Sequence, residues 1–388
     1  MLNFYFWYSI ITTICLSMYC LPFSNLNKKI DIVLLILMIA SIIFSIIMGI
    51  IFNDKFKFKE YELNNFKFDF KPIIVIVIMS ILEFIMVGDI PLISVTINQA
   101  NEYQEFETIP GYHMLLSMIS FYYSIKYAYL SVSKYKNKNK CLLSFIIINF
   151  IILLFNMRSF FMISVFIYIN LLIAKLSKDG KIKVRNILLA IFVFIFLLWG
   201  FGIYGNKRQG FEWNDNKYIE ALGLYYYWPS KIPKQYMWSY SYITSPIANL
   251  NYNTTNKFSS FNMAGLIFQF IPDSISKRIP YYKNKNICVV QKKYFNVSTG
   301  FCDSYSNGGY LGLIIFWIII MFFPLIIINK YSDKPEKTNE YIIWLSAYNA
   351  CISFLFFSNM FNYGGTAPAL WLSTYLLLRK FKFVMKSR

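Results

Sequence analysis

Apolar runs, most of them close to twenty residues long and closed off by clusters of lysine and asparagine, divide almost the whole chain. About twenty residues is the helix length that crosses a hydrocarbon layer roughly 30 Å thick. Inside lipid every backbone donor and acceptor must be satisfied internally, so such runs fold as helices. The runs at 4–23, 31–52, 72–90, 112–133, 141–157, 159–175, 187–205, 309–329, 341–358 and 365–378 predict an all-α polytopic membrane protein, a bundle of about ten transmembrane helices. No run alternates with period two, which argues against a β-barrel. The first starts near Phe4 without a basic region before it or a small-residue cleavage site after it, and reads as an uncleaved helix. Charged residues make up only 15% of the chain, against about a quarter in soluble domains.

Orientation follows from the lysines and arginines of the short loops. Segments 54–71, 134–140, 175–186, 330–340 and 379–388 hold 22 of them, and the alternate short segments hold only Lys28, Lys29 and Arg158. This places both termini in the cytoplasm. It also gives the net charge of +19 a role in topology. A nucleic-acid partner is not expected, because no soluble basic domain exists to receive one.

The exception to the apolar pattern is residues 206–308, which separate an N-terminal bundle (1–205, about seven spans) from a C-terminal one (309–388, about three). The same alternation puts this loop outside. It holds twelve basic and five acidic residues and many aromatics, among them Trp213, Trp228 and Trp238. Such a composition folds rather than staying disordered. Residues 216–228 and 260–271 are expected to form amphipathic helices at the membrane surface. Cys288 and Cys302 both lie here; in an oxidising compartment they form a disulfide, and otherwise they are two thiols. A shorter external loop, 88–112, carries Asp89, Glu102, Glu105 and Glu107, with Pro91 and Pro110 expected to end the helices on either side. Glu83 and Lys126, inside neighbouring spans, are expected to pair with each other.

Arginine is scarce, six against thirty-two lysines, so each asks for a reason beyond charge. Bidentate recognition of phosphate is the leading physical one. Arg185, Arg379 and Arg388 fall in cytoplasmic segments, whereas Arg158, Arg208 and Arg278 fall at the external face. The sole histidine, His113, opens the fourth span, where it caps a helix or acts as a lone acid or base. No spacing of His and Cys suggests a metal site, and no phosphate-binding glycine loop is present. An external enzyme of this kind would draw its energy from a substrate already activated, such as a lipid pyrophosphate.

Several stretches together resemble the O-antigen, or oligosaccharide repeat-unit, polymerases of the Wzy type. They are Gly88-Asp89-Ile90-Pro91-Leu92 leading to Phe106-Glu107-Thr108-Ile109-Pro110-Gly111, the Met157-Arg158-Ser159 turn, Arg208 after the seventh span, Tyr242 to Leu250, and Ser298-Thr299-Gly300-Phe301 running to Asn307-Gly308-Gly309. Asn307 stands where many members carry aspartate. The resemblance implies a GT-C-like, metal-independent glycosyltransferase without cofactor in a bacterial inner membrane. A glycan on undecaprenyl pyrophosphate would be moved to the terminal sugar hydroxyl of a new lipid-linked unit, on the periplasmic face. Arg158, Arg208 and Arg278 would hold the departing pyrophosphate, with His113 nearby. Glu105, Glu212 or Asp303 would take the acceptor proton, and Trp228 and Tyr242 would stack on sugars or pack the loop. A Wzz-type co-polymerase setting chain length is the implied protein partner. The rival readings are an O-antigen ligase, which would more typically carry a histidine in the long loop, and a polysaccharide flippase, which would show repeated halves.

Overall fold

The computed structural model describes residues 2–60, 68–97, 108–109, 111–180, 184–208, 210–217, 220, 223–224, 227–292 and 295–379. Among them there is no strand. The helices are α1 (Phe4–Tyr19), α2 (Ile32–Ile51), α3 (Lys71–Val87), α4 (Pro91–Ile97), α5 (Tyr112–Val132), α6 (Lys138–Leu154), α7 (Arg158–Lys178) and α8 (Val184–Arg208). They continue with α9 (Tyr236–Thr255), α10 (Met263–Phe268), α11 (Asp273–Ser276), α12 (Gly300–Tyr331), α13 (Thr338–Ser353) and α14 (Thr366–Leu378). Three of them, α2, α7 and α12, are long and apolar enough to cross a membrane, and α1 and α14 are shorter apolar helices.

The apolar surface faces outward. On α2, Ile32, Ile36, Ile39, Ile43, Ile46 and Ile50 are exposed at helical spacing, while Ser45 and Gly49 face inward. A Cβ on Gly49 would lie 2.6 Å from the ring of Phe6, so the missing side chain lets α1 and α2 touch. On α3 the exposed residues are Ile74, Ile78, Ile81 and Ile85, and the buried ones include Ser80 and Glu83. Water would penalise this arrangement at roughly 25 cal/mol per Å² of apolar surface; a lipid surround removes the cost.

Contacts sort the connections onto two ends. At one, Lys55 and Lys59 reach Asp333, Lys175 reaches Glu60, and the Tyr129 hydroxyl donates to Asn339. Segments 54–60, 175–178 and 331–339 therefore share a basic end, as the charge alternation predicts. At the other, Asp31 caps α2 and accepts from the Tyr310 hydroxyl at 2.5 Å, and Asn27 donates to Tyr240.

The opposite end is closed by a layer that the hydropathy pattern does not reveal. Helix α9 contains Pro246 and many Ser, Asn and Tyr, yet is buried along most of its length. Its Asn249 donates to the carbonyls of Phe295 and Val297 at 2.7 and 2.9 Å, and Asn253 donates to that of Val289 at 2.7 Å. Asn251 bonds the other way, to Tyr19 and the Lys29 carbonyl. These amides satisfy irregular backbone that would otherwise be buried unpaired. The Cys288–Cys302 bridge, with a Cα separation of 5.4 Å, ties that irregular stretch to the start of α12.

Helix α12 breaks at Gly309, whose φ of 59° and ψ of −150° only glycine adopts readily. The chain doubles back there, so that a Cβ on Gly312 would meet the Ser304 carbonyl at 2.5 Å. Two local expectations change. Pro91 begins α4 instead of ending α3, a position where its missing N–H costs nothing; α3 stops at Gly88, with φ 79°. The helix expected over 260–271 is the short α10, while 216–228 lies partly outside the described residues.

Candidate active site

Three elements meet around Arg158. The chain leaves α6 through a tight turn in which Asn156 takes a positive φ of 54°, and Arg158 becomes the first residue of α7. Its guanidinium lies over the ring of Tyr204 on α8, 5.0 Å from the centroid, and the Tyr204 hydroxyl reaches Asn156 Oδ1 at 3.4 Å. Ser159 and Tyr363 share a hydrogen bond of 3.3 Å, and the Phe160 and Tyr363 rings pack at 5.3 Å. A Cβ on Gly365 would stand 2.2 Å from Phe160, so loop 359–365 presses directly on this turn. A cation at a helix N-terminus opposes the macrodipole, and α7 has no acid in its first turn to offset it. The corner is electropositive by construction and suits an anion.

Next to it lies an acid–base pair. Nδ1 of His113 is 3.0 and 3.2 Å from the two carboxylate oxygens of Glu83, and Glu83 is fully buried. A proton on Nδ1 is therefore donated to the carboxylate, leaving Nε2 as the ring's second polar atom. The edge of Phe155 packs on the imidazole at 5.3 Å. A cavity of about 10 Å³, near the size of one water, joins the two features: His113, Ser117, Ser120, Met157 and Phe160 line it. The hydroxyls of Ser117 and Ser120 are buried without a protein partner, and with His113 they are the polar groups of a lining otherwise made of apolar side chains such as Leu116, Phe121, Ile151 and Ile152.

Glu83 thus pairs with His113 and not with Lys126. The reason is depth: Glu83 is one turn from the end of α3 and His113 is at the start of antiparallel α5. Lys126 belongs near the other end of α5, where Glu340 and Asp69 act on it. The spacing to the helix ends carries that signal in the sequence.

The outer layer rests on this corner. Ser274 on α11 touches Met114, the neighbour of His113, and Asn362 donates to the carbonyls of Phe268 and Ile271 at 2.8 and 2.6 Å. Arg278 follows α11, exposed, with its guanidinium donating to the Ser274 carbonyl. Arg208 ends α8 one turn beyond Tyr204; its side chain lies outside the described residues, as does all of Glu105.

The remaining candidates sit elsewhere. Asp303 accepts from the Cys288 amide at 3.1 Å, beside the disulfide. Glu212 is exposed on the segment after α8. Trp228 donates its indole N–H to the Ile232 carbonyl at 2.9 Å and packs on Phe23 and Tyr240. Tyr242 packs between Phe201 and Trp238. Both aromatics hold the outer layer together. Among the described residues, no three His, Cys, Asp or Glu side chains gather as ligands for a metal ion.

No family model, curated protein or solved structure matches the chain.

Proposed function

We propose that the chain is a ten-span membrane glycosyltransferase that polymerises lipid-linked oligosaccharide repeat units, with its basic end in the cytoplasm and the Arg158 corner outside. The observation that supports this reading most is the nearness of Arg158, stacked at an electropositive helix start, to the His113–Glu83 pair: His113 shares a water-sized, largely apolar cavity with Met157 and Phe160, which flank the Arg158 turn. Glycosyl transfer from a lipid pyrophosphate asks for both: a cation where negative charge develops on the leaving group, and a base for the acceptor hydroxyl.

In this reading Arg158, helped by Arg208 and Arg278, holds the pyrophosphate of the growing chain. The acceptor oxygen forms its bond to the anomeric carbon as the bond from that carbon to the pyrophosphate oxygen breaks. The hydroxyl proton passes to Nε2 of His113, and the lipid pyrophosphate departs as an anion. Glu83 holds the imidazole and stabilises its charged form, the part a carboxylate plays behind a catalytic histidine. The buried pair thus replaces Glu105, Glu212 and Asp303 as the preferred proton acceptor.

The test is the polysaccharide ladder of a strain whose own copy is deleted. A single repeat unit on the carrier or core after deletion supports the polymerase, whereas bare core indicates a ligase or flippase. Restoration by wild type but not by Arg158→Lys is expected; normal long chains with the lysine variant would remove the pyrophosphate role.

A further inference from the structure

At the basic end, away from the corner just described, a cavity of about 760 Å³ opens between the ends of α2, α7 and α12 and the start of α13. Small-molecule pockets span roughly 300–1,000 Å³. Its wall carries four lysines, Lys57, Lys59, Lys178 and Lys334, against two carboxylates, Glu60 and Asp333. Both carboxylates are already shared. Glu60 takes Lys175 at 2.7 Å and Lys178 at 3.2 Å, while Asp333 takes Lys59 at 3.0 Å and also Lys55. Asp179 also reaches Lys175 at 3.5 Å and Asp54 pairs with Lys57 at 2.7 Å, so the excess positive charge rests on the Lys55–Lys59–Asp333 group and on Lys334.

Burial raises the carboxyl pKa of Glu60, but Lys175 and Lys178 outweigh it and hold the group below its ordinary value. Lys55 and Lys59 hold Asp333 down to about 2. Both acids are ionised and occupied near neutral pH, so an incoming anion meets spare lysine charge. Helix α13, sixteen residues long and without a side-chain cap, brings Thr338 at its start to the same wall.

We propose that this cavity binds a phosphate-bearing anion, supplied either by the headgroup of an anionic phospholipid or by a soluble phosphate compound. Lysine ammonium groups bind phosphate as point charges, and the volume accommodates more than a single phosphate. Lysine-rich loops also attract anionic membranes without any site. The 134–140 turn provides the comparison, since Lys136 and Lys138 are exposed and do not line the cavity.

The experiment uses the full chain in phosphatidylcholine nanodiscs, followed by thermal unfolding. One arm titrates inorganic pyrophosphate and the other dopes the discs with phosphatidylglycerol. Because the Arg158 corner is itself proposed to hold pyrophosphate, a midpoint raised by pyrophosphate identifies a soluble ligand of this cavity only to the extent that the cavity variant loses it; one raised by phosphatidylglycerol identifies a headgroup. The double variant Lys57→Gln/Lys334→Gln leaves the Glu60 and Asp333 clusters intact, gives up only the exposed Lys57–Asp54 pair, and is expected to weaken the response about tenfold. Lys136→Gln/Lys138→Gln is expected to keep it. No response from the wild type to either probe, or equal weakening in both double variants, overturns the proposal.

Discussion

The two ends of the bundle both carry excess positive charge, but they hold it in different chemical forms. At the basic end flexible lysines crowd around shared carboxylates, partly in water. At the other, a single arginine is fixed by an aromatic ring, a helix start and a glycine-tight loop. In the proposed function, charge count would set orientation and draw anions in, and fixed guanidinium geometry would select one. Substitutions that keep charge but lose geometry should therefore be mild at the first end and severe at the second.

The largest effect is expected for His113→Ala, which removes the proposed base and should lower polymer formation about 10²–10⁴-fold in membranes supplied with lipid-linked units. Normal turnover would separate His113 from the reaction. Arg158→Lys comes next, at about 10²–10³-fold, with the charge kept and the fork lost. If it behaves like a lysine swap at the basic end, the contrast drawn here collapses. Glycine positions sharpen the comparison through stability. Gly365→Ala drives a methyl into the Phe160 ring and should cost about 1–3 kcal/mol together with activity. Gly364→Ala, where nothing lies within 4 Å, should be close to neutral by thermal unfolding. Equal midpoints would show that the loop does not brace the Arg158 turn.

The smallest effect belongs to Asp333. Its folded pKa is depressed to about 2 by its lysines, so its stabilising contribution is present above the unfolded carboxylate value and is lost as pH falls toward 2. The side chain is 62% exposed, and solvent screening keeps the pair below about 1 kcal/mol. Asp333→Asn should barely change stability at pH 7 and should flatten its decline on acidification.

Much of the frame was legible in the chain. The apolar runs at 31–52 and 112–133 correspond to Ile32–Ile51 and Tyr112–Val132 almost residue for residue: α2 is apolar because its isoleucines face outward, and α5 because it is packed among neighbouring helices. Arg158 stood out by its rarity and lies at an assembled corner. Two things were hidden. Helix α9 is buried by protein on all sides and satisfies polar neighbours, so it needs no apolar stripe. The Glu83–His113 pair joins residues thirty apart, and only the depth of each within antiparallel helices brings them together.

The bridge between Cys288 and Cys302 carries a consequence for biogenesis. A covalent bond that clamps this layer onto α12 closes where thiols are oxidised, which in the proposed orientation is after the segment has been exported. Maturation of that layer is then tied to the host's thiol-oxidation machinery, and a chain inserted upside down would keep both thiols free. In the proposed orientation, the oxidation state of two side chains would record which way the whole bundle was threaded.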